Sequence, residues 1–568
     1  MSAYKYKIGN FPKDARSFLG SIRVVRTFEM SPGKYFHFGL SEALNNALKY
    51  YDFPQDSRCV KLQVNIDGLP LSKSSSSCFW PILGRVVSPI LSKVFMIGLY
   101  FGEKKPACIH EYLSRFICDC IEASNGGLKI GGLPCDFEIH SVVCDAPARQ
   151  FVKCIKLHSG YDSCERCTVH GRYIEGKGVR FERTDCLVRT NESFRERVHE
   201  THHVGNRDSP FCALKLDMIA SFPLDYMHLV LLGVVRKVLK SWLGLKGGSA
   251  GVHKTRLHRS DVSTINCRQA MFSKSVPSEF QRRPRSFTFA GIFKATELRM
   301  FLCYTSPAVM LRIFKKVLIY QHLMLLVSAM RILLSPAQSA ECVTFARTCL
   351  QHFVKFVPKI YGKAFQVYNV HNLIHLADDY DRFGALDGIS SFPYESFLYV
   401  LKSYVKRPGQ ELEQVVKRLH EEHNILHGET LEMAEKAVKL RGQHFNGPLG
   451  KYSEEEGVLQ FSDLNYNGRF FRLNSSNNVV FWKTRNKYCE IVNILQVNCK
   501  VVLLVKVFKC CKDVFQYPCK STYLGIAFVG KRLSSLLVNV HISEVEKCWA
   551  TDWNSEYYYV VKLLHEST

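Results

Sequence analysis

The amino-acid sequence predicts a mixed α/β chain, with strand-rich segments at both ends and a helical block between them. Three observations predict this class. Apolar residues alternate along short segments between residues 60 and 143, they recur at helical spacing between about 186 and 364, and short alternating segments return from 451 to 568. A chain of 568 residues is long enough for roughly two to four domains.

The first strand-rich segment contains five predicted elements. Alternation predicts four strands, and an apolar stripe predicts one helix before the last strand, at 60–66, 78–87, 93–101, 108–121 (the helix) and 137–143. Asp67 follows the first strand and Asp145 lies just after the fourth. This order, with an aspartate after the first and fourth strands, is the opening of an RNase H-like fold. We therefore expect both carboxylates at one edge of a sheet.

The remaining patterns give the predicted domain organisation. Within the helical block, a stretch rich in Ser, Gly and Arg at about 247–285 predicts a loop. The spacing of the last strands predicts a small barrel or sandwich. The expected segments are an N-terminal segment without a clear period (1–58), the first part of an RNase H-like core (59–185), a mainly helical insertion (186–364), the last part of the core (365–410), a helical connector (411–450) and a β-rich C-terminal domain (451–568).

The chain is strongly basic. Lys and Arg number 76 against 51 Asp and Glu, a net charge of +25. This excess favours a polyanionic partner, most commonly a nucleic acid, although a basic protein without such a partner has the same composition. Hydrophobic residues make up 46% of the chain, which excludes a largely disordered protein.

No secretory or membrane-spanning segment is predicted. The first residues lack the apolar core of a signal peptide, and the longest apolar stretch, 317–334, is interrupted by Gln321, His322 and Arg331. The 22 cysteines are scattered along the chain, which favours reduced thiols and a metal site. We therefore expect an intracellular protein without a membrane partner.

Three carboxylates are candidates for catalysis: Asp67, Asp145 and Glu395, the last just ahead of a predicted helix. Transfer at a phosphodiester uses two metal ions about 3.5–4 Å apart, which carboxylates bridge. Mg²⁺ or Mn²⁺ suits such oxygen ligands. Each residue alone has an ordinary reading, as a turn aspartate or a helix-start glutamate, so the prediction rests on their combination. If Glu395 lies on the far side of the sheet, this assignment fails and Asp379 or Asp387 becomes the third candidate.

A second set of residues has the spacing of zinc ligands. Cys164 and Cys167 form a C-x₂-C pair, and His371 and His375 stand four residues apart on a predicted helix. Each pair has an ordinary structural reading by itself. Because each lacks the other half of a four-ligand shell, together they predict a structural Zn²⁺ site.

Several linked motifs resemble those of the CACTA (EnSpm-type) DNA transposases. The motifs are Asn65-Ile-Asp-Gly68, Cys78-Phe-Trp-Pro-Ile82, Cys144-Asp-Ala-Pro-Ala-Arg149, Gly160-Tyr-Asp-Ser-Cys-Glu-Arg-Cys167, Phe222-Pro-Leu-Asp-Tyr-Met-His228, Val370-His-Asn-Leu-Ile-His375, Phe392-Pro-Tyr-Glu395 and Leu401-Lys-Ser-Tyr-Val-Lys-Arg407. Their layout is also similar to Transib transposases and the V(D)J recombinase catalytic subunit. The resemblance covers about residues 60–440. It implies metal-dependent DNA cleavage and transfer, and a helical block inserted within the RNase H-like fold.

Further residues are candidates for contacts with the site or with DNA. Asp225 and His228 match a motif of these transposases; on a helix they would share a face, and an ordinary polar edge is an equal alternative. Two basic segments are candidate phosphate contacts, although charge runs are often only solvated. Their residues are Arg282, Arg283, Arg285, Lys402, Lys406 and Arg407.

These observations lead to a functional hypothesis and its alternatives. We expect a transposon-derived transposase that acts on DNA in the nucleus, with a homodimer as a candidate assembly. Only about 58 residues precede the first predicted strand, and they show no zinc-finger spacing or helix-turn-helix, unlike transposases with a separate end-recognition domain. The alternatives are a host-retained, non-catalytic DNA- or chromatin-binding protein on the same scaffold, and an RNase H-like nuclease unrelated to transposition. The fold alone does not separate them.

Overall fold

The computed structural model describes residues 14–564, except residues 50, 52, 54–58, 73–75, 249–254, 426–437, 456 and 474–476. The structure is a mixed α/β fold with a β-sheet region at the C-terminal end. The described residues form two compact units. The first is drawn from 1–165, 188–225 and 389–434, and the second from 166–187, 226–388 and 435–568.

The helices and strands follow one another along the whole described chain. The helices are α1 (Ala15–Leu19), α2 (Leu40–Leu48), α3 (Ile109–Glu122), α4 (Ala146–Val152), α5 (Asn191–Arg195), α6 (Arg236–Leu243), α7 (Arg259–Ser273), α8 (Ala295–Met300), α9 (Ser306–Val309), α10 (Val317–Leu333), α11 (Ala340–Tyr361), α12 (Tyr368–Asn372), α13 (Leu376–Phe383), α14 (Phe392–Tyr404) and α15 (Glu411–Ile425). The strands are β1 (Phe28–Met30), β2 (Gly33–His37), β3 (Cys59–Ile66), β4 (Leu69–Pro70), β5 (Cys78–Ser88), β6 (Phe95–Gly102), β7 (Lys129–Ile130), β8 (Leu133–Pro134), β9 (Asp136–Val143), β10 (Arg172–Ile174), β11 (Gly178–Arg180), β12 (Lys439–His444), β13 (Leu459–Tyr466), β14 (Arg469–Arg472), β15 (Val479–Trp482), β16 (Lys487–Val497), β17 (Lys500–Phe508), β18 (Cys511–Lys512), β19 (Ile526–Gly530), β20 (Leu533–His541), β21 (Val545–Asp552) and β22 (Tyr557–Lys562). Among the described residues, no helix has the length and apolarity needed to cross a bilayer.

One mixed sheet forms the centre of the first unit. Its strand order is β1-β2-β6-β5-β3-β9, and the short β4 pairs with β5. Neighbouring strands are antiparallel except β3 and β9, which run parallel with Asn65 opposite Val143. The chain passes from β6 to β9 through α3. Two strands therefore end side by side, each just before one of the predicted aspartates.

The two faces of this sheet have different coverings. Successive side chains of a strand point to opposite faces. Val64 and Ile66 of β3 share a hydrophobic core with the buried stripe of α3, which includes Tyr112. Helices α14 and α15 share a second core with residues of β5, β6 and β9. Gln63 alternates with Val64 along β3, and it bonds to α14 on this second face.

The predicted strands and helix of the first unit are confirmed within two residues of their predicted bounds. The segment 1–58, which has no clear period in the sequence, contributes β1, β2 and α2, and its hairpin extends the sheet at β6. One prediction was wrong. The predicted loop at about 247–285 contains α7, which begins where the His258 N–H donates to the Asp261 carboxylate and buries few apolar side chains. Short edge strands and a mostly polar helix leave little periodic signal in a sequence.

The strand region at the C-terminal end belongs to the second unit. Eleven strands, β12 to β22, pair antiparallel in one branched sheet. The sheet begins at Lys439, so the segment 411–450 contains both helix α15 and strand β12. Lys547 and Glu279 form a fully buried ion pair with N–O distances of 2.7 and 2.8 Å. The strands therefore pack against the helical residues of their own unit.

Candidate active site and metal centre

Asp67 and Asp145 lie at the carboxyl ends of the parallel strands β3 and β9. Each stands two residues beyond the pair Asn65–Val143. The buried Asn65 amide donates to the Val143 carbonyl at 2.8 Å, which fixes this register. Both aspartates are partly exposed, so a solvated ion has access to them. The structure thus places the two predicted strand-end acids next to each other along one sheet edge.

Cys144 stands directly before Asp145, and both acids affect its thiol. Its thiol is completely buried, and burial is the main reason that its pKa lies far above the usual value; the carboxylates of Asp145 and Asp67 raise it further. The carboxylates of both acids therefore disfavour ionisation of the same thiol. Gly68 follows Asp67, and a Cβ atom there would lie 3.1 Å from the Trp80 ring, so the turn after Asp67 packs closely against this ring.

Each aspartate also has a local structural role. The Asp145 Oδ1 atom accepts the Ala148 N–H at 2.7 Å, so Asp145 caps α4. The Asp67 Oδ1 atom accepts the Gly68 N–H at 2.7 Å. These bonds hold the two carboxylates in fixed orientations at the strand ends.

Glu395 lies in the first turn of α14, on the face of the sheet that this helix covers. The neighbouring Tyr394 is buried, and its hydroxyl donates to Gln63 Oε1 at 2.9 Å. The Gln63 amide in turn donates to the Ser141 hydroxyl of β9 at 3.0 Å. This buried polar chain fixes α14 against the two strands that carry the aspartates. Glu395 itself is exposed.

Asp225 connects the start of α14 to the same sheet edge. Leu224 forms a parallel bridge with Cys144, so Asp225 stands next in line to Asp145. The Asp225 Oδ1 atom accepts the Ser391 N–H at 3.0 Å, and the Ser391 carbonyl accepts the Glu395 N–H at 2.9 Å. Sequence analysis did not find Ser391, which has no motif of its own.

The prediction that Asp225 and His228 share a helical face was wrong. Asp225 is buried and lies outside any helix, and it precedes the helical segment Met227–Val235 that contains His228. The bridge between Leu224 and Cys144 holds Asp225 in a strand-like position, where helical spacing does not apply.

The three carboxylates do not form a compact cluster. In the described part of the chain, they are absent from the groups of three or more metal-ligating side chains whose ligand atoms all lie within 4.8 Å of one another. The two fallback acids are held by buried arginines. Asp379 accepts from Arg166 at 2.6 Å, and Asp387 pairs with Arg299 and accepts from the Tyr226 hydroxyl. Both carboxylates are therefore engaged in ion pairs with arginines of the same unit.

Cys164, Cys167, His371 and His375 form one buried group whose ligand atoms lie within 4.8 Å of one another. The Cys167 Sγ and His371 Nε2 atoms are 3.3 Å apart. Sulfur and nitrogen ligands of a tetrahedral zinc ion, at about 2.3 and 2.0 Å from the metal, are separated by about 3.5 Å. This Cys₂His₂ group could therefore hold a metal ion such as zinc. None of the 22 cysteines forms a disulfide in the described chain.

A carboxylate lies next to His375, one of the two histidines of this group. His375 Nδ1 lies 3.8 Å from the Asp378 carboxylate, which also pairs with Arg347. Carboxylates commonly orient the histidines that bind zinc. The imidazole of His371 is completely buried, and its Nε2 atom points to Cys167. Both rings therefore suit metal binding.

The two residues inside the C-x₂-C pair form buried ion pairs that sequence analysis missed. Glu165 accepts from Arg149 at 2.6 Å and from Lys153 at 2.9 Å. Burial opposes ionisation of Glu165, but the two cations outweigh it and lower its pKa to about 2. Arg166 pairs with Asp379. The signal in the sequence was the adjacent pair of opposite charges between two cysteines.

The predicted DNA-binding residues differ in their surroundings. Arg282 and Arg283 are exposed, whereas the Arg285 guanidinium pairs with Glu297 and lies 5.8 and 5.5 Å from two phenylalanine ring centroids. The Lys402 ammonium donates to the Pro70 carbonyl at 3.0 Å. Lys406 and Arg407 are exposed just after α14.

Comparison with known protein families gives one match within the strand region. Residues 443–563 match a family model described as a domain of unknown function (DUF8592). This segment contains all of the strands from β13 to β22 and the last two residues of β12. A comparison with curated proteins finds no match to the chain.

Proposed function

We propose that this chain is a metal-dependent DNA transposase, similar to the CACTA (EnSpm-type) enzymes, with Asp67, Asp145 and Glu395 as catalytic carboxylates. One observation carries the proposal. Asp67 and Asp145 follow the ends of two adjacent parallel strands, β3 and β9. Glu395 lies in the first turn of α14, the helix that covers one face of the same sheet. The net charge of +25 supports a DNA substrate.

We propose also that the first unit contains an RNase H-like core. The strand order β6-β5-β3-β9, with β9 parallel to β3 and α3 between β6 and β9 along the chain, supports this reading. The helical residues between α5 and α14 then correspond to an insertion, since the first unit resumes at residue 389. Fold by itself does not assign an activity, so the proposal depends on the acids.

The protein would hold two Mg²⁺ or Mn²⁺ ions through the oxygens of Asp67, Asp145 and Glu395. When bound, such ions activate the attacking oxygen and stabilise the leaving oxygen of a phosphodiester. Carboxylates that contact different ions of a pair do not need to lie within 4.8 Å of one another, since the ions themselves are about 3.5–4 Å apart.

Asp225 acts in this proposal as a positioning residue. Its carboxylate accepts the Ser391 N–H, so it fixes where α14 begins and hence where Glu395 stands. The zinc group has a structural role, because four protein ligands leave no open position for a substrate or a catalytic water.

The alternative is a non-catalytic DNA- or chromatin-binding protein on the same scaffold. The observation that favours it is that the three carboxylates are not clustered like the zinc ligands. Both functions act on DNA and would be carried out in the nucleus. They differ in whether phosphodiester bonds are broken.

Nicking of supercoiled plasmid DNA by the full chain tests the proposal. We expect nicking with Mg²⁺ or Mn²⁺ and none with a chelator. Asp145→Asn should lower the rate about a thousandfold or more, because it removes a ligand charge from the metal pair. The matched control is Asp136→Asn, at the exposed opposite end of the same strand β9. It should nick like the unaltered chain.

Two results would reject catalysis by these acids. The first is nicking by Asp145→Asn at the unaltered rate, which would point to another site or a contaminating nuclease. The second is firm DNA binding without any nicking in either metal, which would favour the non-catalytic alternative.

A further inference from the structure

One face of α14 carries three exposed side chains in line. Glu395, Tyr399 and Lys402 are separated by four and three residues, so they share a side of the helix. At about 1.5 Å per residue, Tyr399 lies about 6 Å along the helix from Glu395. A single exposed aromatic residue is ordinary in itself. Tyr399 differs from an ordinary exposed aromatic residue because it stands between a proposed catalytic acid and a lysine.

The helix that carries Tyr399 is firmly held. On its opposite side, Tyr394, Leu398 and Leu401 are buried in the core shared with the sheet. The Lys402 ammonium donates to the carbonyl of Pro70, three residues after Asp67. The exposed face of α14 therefore runs beside the segment that follows a proposed catalytic aspartate, on a rigid support.

Two further basic residues, Lys406 and Arg407, follow the end of α14. The backbone N–H groups of Lys406 and Arg407 both donate to Gln414 Oε1, at 2.9 and 3.1 Å. These bonds fix the turn between α14 and α15, and the side chains of both residues are exposed. Glu395, Tyr399, Lys402, Lys406 and Arg407 are together called the α14 track.

We propose that the α14 track binds an unpaired DNA strand next to the acidic site. Tyr399 stacks on a base, and Lys402, Lys406 and Arg407 contact the phosphates. A flat exposed ring can stack only on a base whose face is open, so the occupant is a strand end or an unpaired segment rather than the interior of a duplex. Aromatic stacking combined with basic side chains is the usual way to hold such strands without reading their sequence. This inference rests on the proposed DNA substrate.

Binding of short DNA probes to the full chain tests the α14 track. One probe is a duplex with a single-stranded tail that carries a fluorescent adenine analogue, and the other is the same duplex fully paired. A chelator in the buffer prevents cleavage. Tyr399→Ala should weaken binding of the tailed probe about 5- to 150-fold, the usual loss for one stacked base. It should change binding of the paired probe less than about twofold.

Two further variants make the test specific. Tyr399→Phe keeps the aromatic face and should bind the tailed probe like the unaltered chain. Tyr523→Ala is the matched control, because Tyr523 is 77% exposed and Tyr399 78% exposed; it should leave binding unchanged. The analogue's fluorescence should change on binding to the unaltered chain and to Tyr399→Phe, but not to Tyr399→Ala, a readout that a purely structural role would not affect.

Failure of this inference differs from failure of the proposed function. If the chain nicks DNA but Tyr399→Ala binds the tailed probe normally, the stacking role is wrong and the transposase proposal stands. If Tyr399→Ala weakens binding but no metal supports nicking, the α14 track stands as a binding site and catalysis is wrong. Equal losses for tailed and paired probes, or no binding of the tailed probe by the unaltered chain, would overturn the inference.

Discussion

At the scale of single residues, buried charges surround the cysteine pair. Glu165 and its partners Arg149 and Lys153 are almost completely removed from water. An ion is stable in such a place only when its partners remain, because removal of one partner leaves an uncompensated buried charge. The residues inside the C-x₂-C pair therefore matter for stability as much as the cysteines do.

Replacement of Glu165 tests this reasoning. Glu165→Gln keeps the size of the side chain but removes the buried negative charge that Arg149 and Lys153 share, so it should lower the free energy of unfolding by about 3–5 kcal/mol. Chemical denaturation measures the change. The control is Glu138→Gln, which removes one partner of a solvent-exposed pair with Lys61 and should have little effect. Equal stability of the two variants would show that the buried pairs contribute nothing.

Zinc binding gives a second prediction for single residues. The purified chain should contain one zinc ion, and Cys167→Ser or His371→Ala should lose it, because each removes one of four ligands. Structural zinc contributes directly to folding, so both variants should melt at a clearly lower temperature, as should the chelator-treated protein. The exposed Cys118→Ser is the control and should keep its zinc. Zinc-free protein of normal stability would contradict the assignment.

Local spacing explains which residues could be predicted. The zinc ligands were found because each pair is close in the sequence, and the aspartates because each follows a readable strand. The ion pairs were missed because Arg166 and Asp379 are 213 residues apart, and nothing in the sequence marks them as partners. Ser391 was missed because its function lies in a backbone N–H group, which every residue except proline has.

At the scale of elements, burial determines which helices and strands could be predicted. α3 buries one regular side, so its helical period is visible in the sequence. β3 is buried on both faces, but apolar and polar residues still alternate along it, so its period of two is visible as well. β1 has three residues, and only Met30 is buried among them, which gives no period. α7 is polar along most of its length and is recognisable mainly by its capping interaction at His258.

The ion pair between Glu279 and Lys547 tests how the C-terminal strands are attached to their unit. The Lys547 ammonium lies on β21 and is buried against the Glu279 carboxylate. Glu279→Gln and Lys547→Met should each cost about 3–5 kcal/mol of stability, while the double variant should recover much of that loss, because no charge then stays unpaired. The exposed pair Lys531–Asp552 is the control and should show coupling of about 1 kcal/mol or less. Additive losses in the buried pair would contradict this account.

At the scale of the whole molecule, the division into two units could not be predicted from short stretches of the sequence. Each unit is drawn from three separate stretches of the chain. A window along the sequence sees only neighbouring residues, so it predicted consecutive segments, with a β-rich domain at 451–568 among them. In the structure, the strands from Lys439 onwards fall in the same compact unit as residues 226–388. Contacts that are distant in the sequence made this difference.

The dependence of DNA affinity on salt tests the role of the net charge of +25. If basic residues contact phosphates, affinity should fall steeply with salt, since each contact releases condensed counterions and adds about 0.9 to the slope. Substitution of Arg282, Arg283 and Arg285 by alanine should then reduce the slope by about two rather than three, because Arg285 already pairs with Glu297 whereas Arg282 and Arg283 are exposed. Preference among DNA sequences should change little, since phosphate contacts position a protein without reading bases.

Titration of one duplex at several salt concentrations measures the slope, and Arg285→Ala alone is the control that should leave it unchanged. A flat salt dependence of the unaltered chain would leave its positive charge without a nucleic-acid explanation, and it would count against both the transposase and the DNA-binding alternative.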